Sequence, residues 1–496
     1  MYQGEKDRNL TMLTDFYELT MANGYFSHGQ QDTTACFDLF FRKVPDGGGF
    51  AITAGLEQAV EYLQSLHFTD ADIDYLRSQG HFSDGFLDYL RHFEFCCDVW
   101  AIPEGTPVFP HEPIVTVRGP IIQAQFIETM LLLIINHQSL IATKANRIVR
   151  AADRREVIEF GARRAHGADG ALYGARAAYI GGCSGSSLTL AQERFGIPVY
   201  GTMAHSWIQA FDSELEAFCA YAETYPNDCV LLVDTYNTLY SGIPNAIKAF
   251  DNVLKPLGVR PKAIRIDSGD ITYLSKKARR MLDEGGYPDC HIMVTNSLDE
   301  YLIRDMLLQG AKVDTFGVGE RLITSSSSPV FGGVYKLSAV ESDGEMVSRV
   351  KISDNIQKLT LPGMKTVYRL FDREVGKAIA DLVTLSDEVL DENQPYELFD
   401  PDHTWKRKTV SGFVARRLQQ PVFLGGRCVM HCPTLPEIQA YCRRQVEHLW
   451  EEVLRFENPH NYYVDLSKKL WDERQNLLEQ HAGKQNSSKQ SMPEQP

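Results

Sequence analysis

The chain has 496 residues, with 50 Lys and Arg against 65 Asp and Glu, for a formal net charge of −15. That acidity excludes a general nucleic-acid binder, because phosphate-backbone affinity is built from a surplus of Lys and Arg. With 44% hydrophobic and 23% charged residues the composition is that of a globular protein of two or three domains; its 10 cysteines are too few for a disulfide scaffold and fit reduced thiols in a cytoplasm.

The first residues, MYQGEKDRNL, lack the charged-then-apolar order of a signal peptide. Residues 1–145 read as an N-terminal α/β domain. Helical spacing is present at Ala54–Leu66, at Phe86–Phe93 and most strongly at Ile121–Ile141, with strand-like runs at Cys36–Phe41 and Ile114–Val117. The wholly apolar stretch Met130–Ile135 is far short of the roughly 20 residues of a membrane span, so no membrane partner is expected.

From about residue 155 short apolar runs recur, each ending in a polar or glycine cluster: Val157–Phe160, Ile197–Tyr200, Val230–Val233, Ala263–Ile266, Ile292–Val294 and Phe316. Helix-like stretches at Ile243–Leu254, Ile271–Leu282 and Ser297–Leu308 fill the gaps. This alternation predicts parallel βα units over 146–340, closed as a barrel or open as a doubly wound sheet. Residues 341–480 read as a C-terminal extension packing on the first two segments, with helices at Tyr441–Phe456 and Leu466–Leu478. Residues 481–496 contain almost nothing apolar and read as a disordered tail.

Several clusters could carry chemistry. Lys144–Ser206 holds nine Lys or Arg against five Asp or Glu, a surplus of four, together with Arg163-Arg164 and the glycines at 181, 182 and 185. This suits a phosphate, through Arg forks and backbone N–H groups, or equally a solvated helix face (Lys144, Arg147, Arg150) followed by an ordinary loop. Phe316-Gly317-Val318-Gly319 with Thr324–Ser328 and Gly332-Gly333 is a second anion-friendly cluster or a serine-rich turn. His205 follows the run Ile197–Tyr200, and Asp234 and Asp267 end the next two runs. In a parallel sheet such ends face one cleft, where a carboxylate can orient an imidazole; helix capping by Asp267 or Asp270 is the competing role. Cys428, His431 and Cys432 lack the second pair that a structural zinc site needs.

Together these residues resemble the nicotinate phosphoribosyltransferase family. The carriers are Thr14–Met21, Glu159–Arg164, Gly201–Ser206, Val233–Tyr236, Ile266–Asp270 and Phe316–Gly319, in family order. The resemblance implies an N-terminal α/β domain plus an incomplete parallel α/β barrel, the type II phosphoribosyltransferase architecture, in a head-to-tail homodimer with shared sites. It implies formation of nicotinate mononucleotide and pyrophosphate from nicotinate and phosphoribosyl pyrophosphate, with Mg²⁺, in NAD salvage. ATP, the co-substrate, is hydrolysed through a phosphohistidine. On this resemblance His205 takes the phosphoryl group and Asp234 orients it, while Arg265 and Asp267 sit at the ribose. Tyr17 of the neighbouring subunit and Phe160 sandwich the pyridine ring, with Arg163 beside it, and Gly317 and Gly319 hold the 5′-phosphate. Relatives that use nicotinamide carry an Asp where this chain has Ser184, so Ser184 with Arg163 favours the acid. Three other readings compete: a nicotinamide-using relative, a metal-dependent barrel hydrolase lacking its His-rich ligand set, and a scaffold that keeps the fold alone.

Overall fold

The computed structural model describes residues 8–352 and 359–490. The chain divides into two compact units, one formed by residues 1–139, 331–433 and 443–496 and the other by 140–330 and 434–442. The chain crosses between them after residues 139, 330, 433 and 442. The expected C-terminal extension folds mostly with the N-terminal segment, because its strands complete the N-terminal sheet. Val334–Ser342 pairs antiparallel with Thr34–Phe40, and Gln420–Leu424 with Asp98–Ala101. A second, four-stranded sheet holds Phe413–Arg417, Lys365–Asp372, Ala378–Leu385 and Val464–Leu466. The helix Lys468–Gln490 runs into the segment expected as a tail. Its polar residues include good helix formers that can extend a helix already begun; 491–496 lie outside the described residues.

The helix pair Ile121–Phe126 and Glu128–Ala151 is, by length and composition, apolar enough to cross a membrane, yet it is mostly buried. Buried polar side chains at Gln123, Gln125, Gln138, Lys144 and Arg147 mark it as a core helix.

The second unit carries the parallel sheet. Its strands are β1 (Glu156–Glu159), β2 (Gly185–Ser186), β3 (Val230–Leu232), β4 (Ala263–Ile266), β5 (His291–Asn296) and β6 (Thr315–Val318). They lie in the order β2-β1-β6-β5-β4-β3, every pair parallel. Because β6 returns to β1, the strands follow a barrel's cyclic order with the pairing of β2 to β3 missing: an incomplete barrel. The strands carry the buried apolar core of this unit, with Leu231, Ile264, Ile266, Ile292, Val294, Phe316 and Val318 all at 0% exposure.

Ile197–Tyr200 is not a strand: Val199 makes only a bridge to Ser186. Pro198 has no N–H to give a ladder, and Val199 is exposed. Among the helices, Asp270 caps Ile271–Glu284 by accepting from Tyr273 N. This assigns the capping role to Asp270 and leaves Asp267 for the cleft. Asp299 likewise caps Glu300–Leu308. Behind the sheet, Lys144 Nζ and Arg147 Nε meet the fully buried Glu300 carboxylate at 2.9 and 2.8 Å.

Candidate active site

The parallel register brings the carboxyl ends of β4, β5 and β6 level, with Val294 beside Ile266 and Thr295 beside Gly317. Above them opens a cleft of about 580 Å³, lined by Phe160, Arg163, Arg164, Met203, His205, Arg265, Asp267, Thr295, Asn296, Gly317, Gly319 and Glu320, among others.

His205 is the first residue of the short helix His205–Gln209. Its Nε2 lies 3.2 Å from Asp234 Oδ1, and the Asp234 side chain is 1% exposed. A carboxylate at Nε2 holds the ring proton there and leaves Nδ1 with its lone pair. Asp234 Oδ2 accepts from Asp267 N at 3.0 Å and from Ser268 Oγ at 2.6 Å. One carboxylate therefore spans the imidazole and the β4 strand end.

Arg265 is the second centre. Its Nη2 donates to Asp267 Oδ1 at 2.8 Å, its Nε to Thr295 Oγ1 at 3.0 Å, and its Nη1 to Thr202 Oγ1 at 3.1 Å. The guanidinium carbon stands 5.9 Å from the Phe160 ring centroid, a cation–π contact. Burial pushes the Asp267 carboxyl up, but hydrogen bonds from Thr295 and Arg265 and the Arg265 charge outweigh it, holding it below the usual carboxylate range.

Glu159, fully buried at the end of β1, accepts from Ser186 Oγ at 2.6 Å and from Gly161 N. Burial raises its pKa against these two bonds. They fix the turn that presents Phe160 and, one residue past Ala162, the exposed Arg163. Gly317 is required by space: a Cβ there would lie 2.6 Å from Thr295 Cγ2 and 2.9 Å from Phe160 Cδ2.

The cleft thus gathers Phe160, Arg163, His205, Arg265, Asp267, Gly317 and Gly319, with Asp234 behind His205. Ser184 is not among its lining residues. Ser184 N donates to Val157 O at 2.8 Å ahead of β2, and Ser187 reaches the cleft instead. Tyr17 belongs to the first unit, on the helix Phe16–Ser27, with 44% exposure. Sequence reasoning singled out Arg164 beside Arg163 but gave no role to Thr202, Thr295 or Glu320. The signal for two of them was a polar residue just past an apolar run, Thr295 after Ile292–Val294 and Glu320 after Phe316–Gly319.

The basic segment 144–206 is not the cationic lining it suggested. Lys144, Arg147 and Arg176 are buried away from the cleft, and of its nine cations Arg163 and Arg164 line it, joined by Arg265. The serine-rich turn is also spent internally: Ser325 Oγ donates to Ser328 O at 3.0 Å, and Ser327 Oγ accepts from Lys144 Nζ at 2.8 Å. Among the described residues no group of three or more His, Cys, Asp or Glu side chains is placed to hold a metal ion.

Comparison with known proteins places this geometry. The chain matches the nicotinate phosphoribosyltransferase N-terminal domain over residues 12–136, the nicotinate phosphoribosyltransferase family over 156–372 and the corresponding C-terminal domain over 364–474. It is 45% identical to nicotinate phosphoribosyltransferase of Bacillus subtilis (strain 168) over 470 residues, 94% of this chain and 95% of that protein. The Homo sapiens nicotinate phosphoribosyltransferase is 31% identical over 521 residues, covering 92% of this chain and 95% of that protein. The crystal structure of human nicotinic acid phosphoribosyltransferase superimposes with a TM-score of 0.82 at 30% identity, covering 94% of this chain and 100% of that one. A cleft bearing Arg163, Arg164 and Arg265 at the strand ends of an incomplete barrel, and relatives matching along almost the whole length, lead to one conclusion: the chain belongs to the nicotinate phosphoribosyltransferase family.

Proposed function

We propose that this enzyme joins nicotinate to phosphoribosyl pyrophosphate, giving nicotinate mononucleotide and pyrophosphate, and couples the transfer to ATP hydrolysis through a phosphohistidine at His205. It works in the cytoplasm as a homodimer with shared sites, at the entry of nicotinate into NAD. The observation that carries the coupling is the path from His205 Nε2 through Asp234 to the Asp267 backbone. With Nε2 engaged, Nδ1 is the nitrogen that attacks the γ-phosphate of ATP. The phosphoryl group then adds negative charge beside a carboxylate that also braces the ribose-facing strand end.

In the transfer step the pyridine nitrogen attacks the anomeric carbon as pyrophosphate leaves, through an oxocarbenium-like state. The protein's work is to position the reactants and stabilise charge. Asp267, held ionised by Arg265 and Thr295, stabilises the ribosyl cation or holds its hydroxyls. Phe160 stacks on the ring, Tyr17 of a second subunit closes the other face, and Arg163 and Arg164 attract the carboxylate and phosphates. Ser184, where nicotinamide-using relatives carry Asp, leaves no carboxylate there to repel the acid, Gly319 leaves room for the 5′-phosphate, and Gly317 lets Thr295 and Phe160 pack against the strand beside it. Asp267 and Glu320 are the cleft carboxylates that would hold Mg²⁺, as oxygen donors for an ion arriving with a polyphosphate, and the ion would supply charge neutralisation to the pyrophosphate.

The test is nicotinate mononucleotide formation with and without ATP. Wild type is expected to be stimulated by ATP and to carry label from γ-labelled ATP on the Nδ1 isomer of phosphohistidine. His205→Ala should retain slow ATP-independent transfer and lose both label and stimulation. Full ATP-stimulated turnover in His205→Ala would end the phosphohistidine reading.

A further inference from the structure

We infer that Thr295 is a positioning residue for the phosphoribosyl half of the reaction, its hydroxyl locking Arg265 and Asp267 into one rigid unit. The inference rests on the reading of the cleft as a phosphoribosyl-transfer site.

A threonine hydroxyl has one proton to give and lone pairs to receive. Here both capacities are used between the same two charged groups. Oγ1 accepts from Arg265 Nε at 3.0 Å and donates to Asp267 Oδ1, while Arg265 Nη2 donates to that same oxygen at 2.8 Å. The three side chains form a closed ring of hydrogen bonds across two strands, Arg265 in β4 and Thr295 in β5. Thr295 is 3% exposed, so water does not stand in for its hydroxyl. Without it, the two side chains remain joined by one contact, with Arg265 otherwise held only at Nη1 by Thr202 and Met203 and Asp267 only through its backbone by Asp234, so the angle between guanidinium and carboxylate is no longer fixed.

The methyl has a separate task. Cγ2 faces the Gly317 backbone, where an added Cβ would come within 2.6 Å of it and within 2.9 Å of the Phe160 ring. The methyl thus packs against the strand beside the pyridine-binding ring, and the hydroxyl orients the ribose-facing pair. The two functions are on separate atoms and can be removed separately.

The experiment compares the full-length wild type with Thr295→Val, which keeps the methyl, and Thr295→Ser, which keeps the hydroxyl. In Thr295→Val, kcat/KM for phosphoribosyl pyrophosphate should fall about 10- to 100-fold. The KM for nicotinate should stay within about twofold, so that the loss falls on the phosphoribosyl half of the reaction. Thr295→Ser should recover to within about threefold of wild type. A Thr295→Val enzyme with wild-type kinetics, or a Thr295→Ser enzyme as impaired as the valine variant, overturns the proposal. If the valine chain folds poorly, Thr295→Ala read against Thr295→Ser makes the same comparison, since both lose the methyl and only one loses the hydroxyl. Calorimetric binding of phosphoribosyl pyrophosphate with Mg²⁺ is run on each protein. A wild type that binds it but makes no nicotinate mononucleotide would sink the functional reading alone, and weaker binding by Thr295→Val would still decide the role of Thr295.

Discussion

Gly317 shows how closely the cleft is packed at its centre. Any side chain there must displace Thr295 or Phe160, whose atoms lie 2.6 and 2.9 Å from where a Cβ would stand. Overpacking of this kind costs about 1–3 kcal/mol and is relieved by moving neighbours off their rotamers. Gly317→Ala should therefore lower the melting temperature modestly. It should lower kcat/KM for nicotinate and for phosphoribosyl pyrophosphate together, because one displaced neighbour serves each. Steady-state kinetics with each substrate varied in turn would check this. A variant that lost stability without losing activity would mean that the cleft relaxes around the added carbon. The same crowding explains why a glycine, rather than any small residue, occupies the centre of the cleft.

At the scale of elements, each reactive side chain is placed by a backbone device. The turn Thr238–Gly242, wider than an α-helical turn, follows β3 and Asp234. Asn237 caps it by accepting from Tyr240 N at 2.9 Å. Gly242 presses on the β3 end so closely that an added Cβ would collide with Val233 O, one residue before Asp234. Gly242→Ala should lower stability by about 1–3 kcal/mol in urea unfolding. It should also weaken ATP stimulation more than basal transfer, because the displaced strand end carries the partner of His205. Equal loss of both activities would show that the strand end does not act selectively on coupling. Much of this was legible in the sequence. Ala263–Ile266 is a strand with the predicted bounds, and Asp234 and Asp267 follow apolar runs as strand-end acids should. Other elements were not legible. Ile197–Tyr200 has strand composition but Pro198 denies it a ladder, and the helix expected at Tyr441–Phe456 is Leu435–Glu447. That helix starts early because Thr434 and Glu437 form a capping pair, with Thr434 N and Oγ1 both donating to Glu437 Oε2. Which acid caps and which acts, Asp270 or Asp267, depended on one hydrogen bond that spacing cannot reveal.

At the scale of the whole molecule, the proposed dimer makes a prediction that no single-chain variant can. If Tyr17 serves the site of a neighbouring subunit, Tyr17→Ala and His205→Ala chains fail for different reasons. Mixed dimers would then hold one site with both native residues. Co-refolding equal amounts should restore roughly a quarter of the wild-type ATP-stimulated activity. Mixtures no better than either parent would place both residues in one subunit's site. The net charge of −15 describes the exterior, while Arg163, Arg164 and Arg265 make the cleft cationic for polyanionic substrates. The missing pairing between β2 and β3 has a consequence for timing. Arg265 and Asp267 stand at the end of a laddered strand, whereas His205 rides on the segment that crosses the gap, tied to the sheet by the Ser186–Val199 bridge and by Arg265 holding Thr202 and Met203. Hydrogen exchange should find that crossing segment opening far more often than β4 or β5. If His205 is phosphorylated in each cycle, as proposed, the barrel is unclosed at the place where that side chain is loaded and unloaded, and the clock of the reaction is set in its loosest seam and the aim in its tightest.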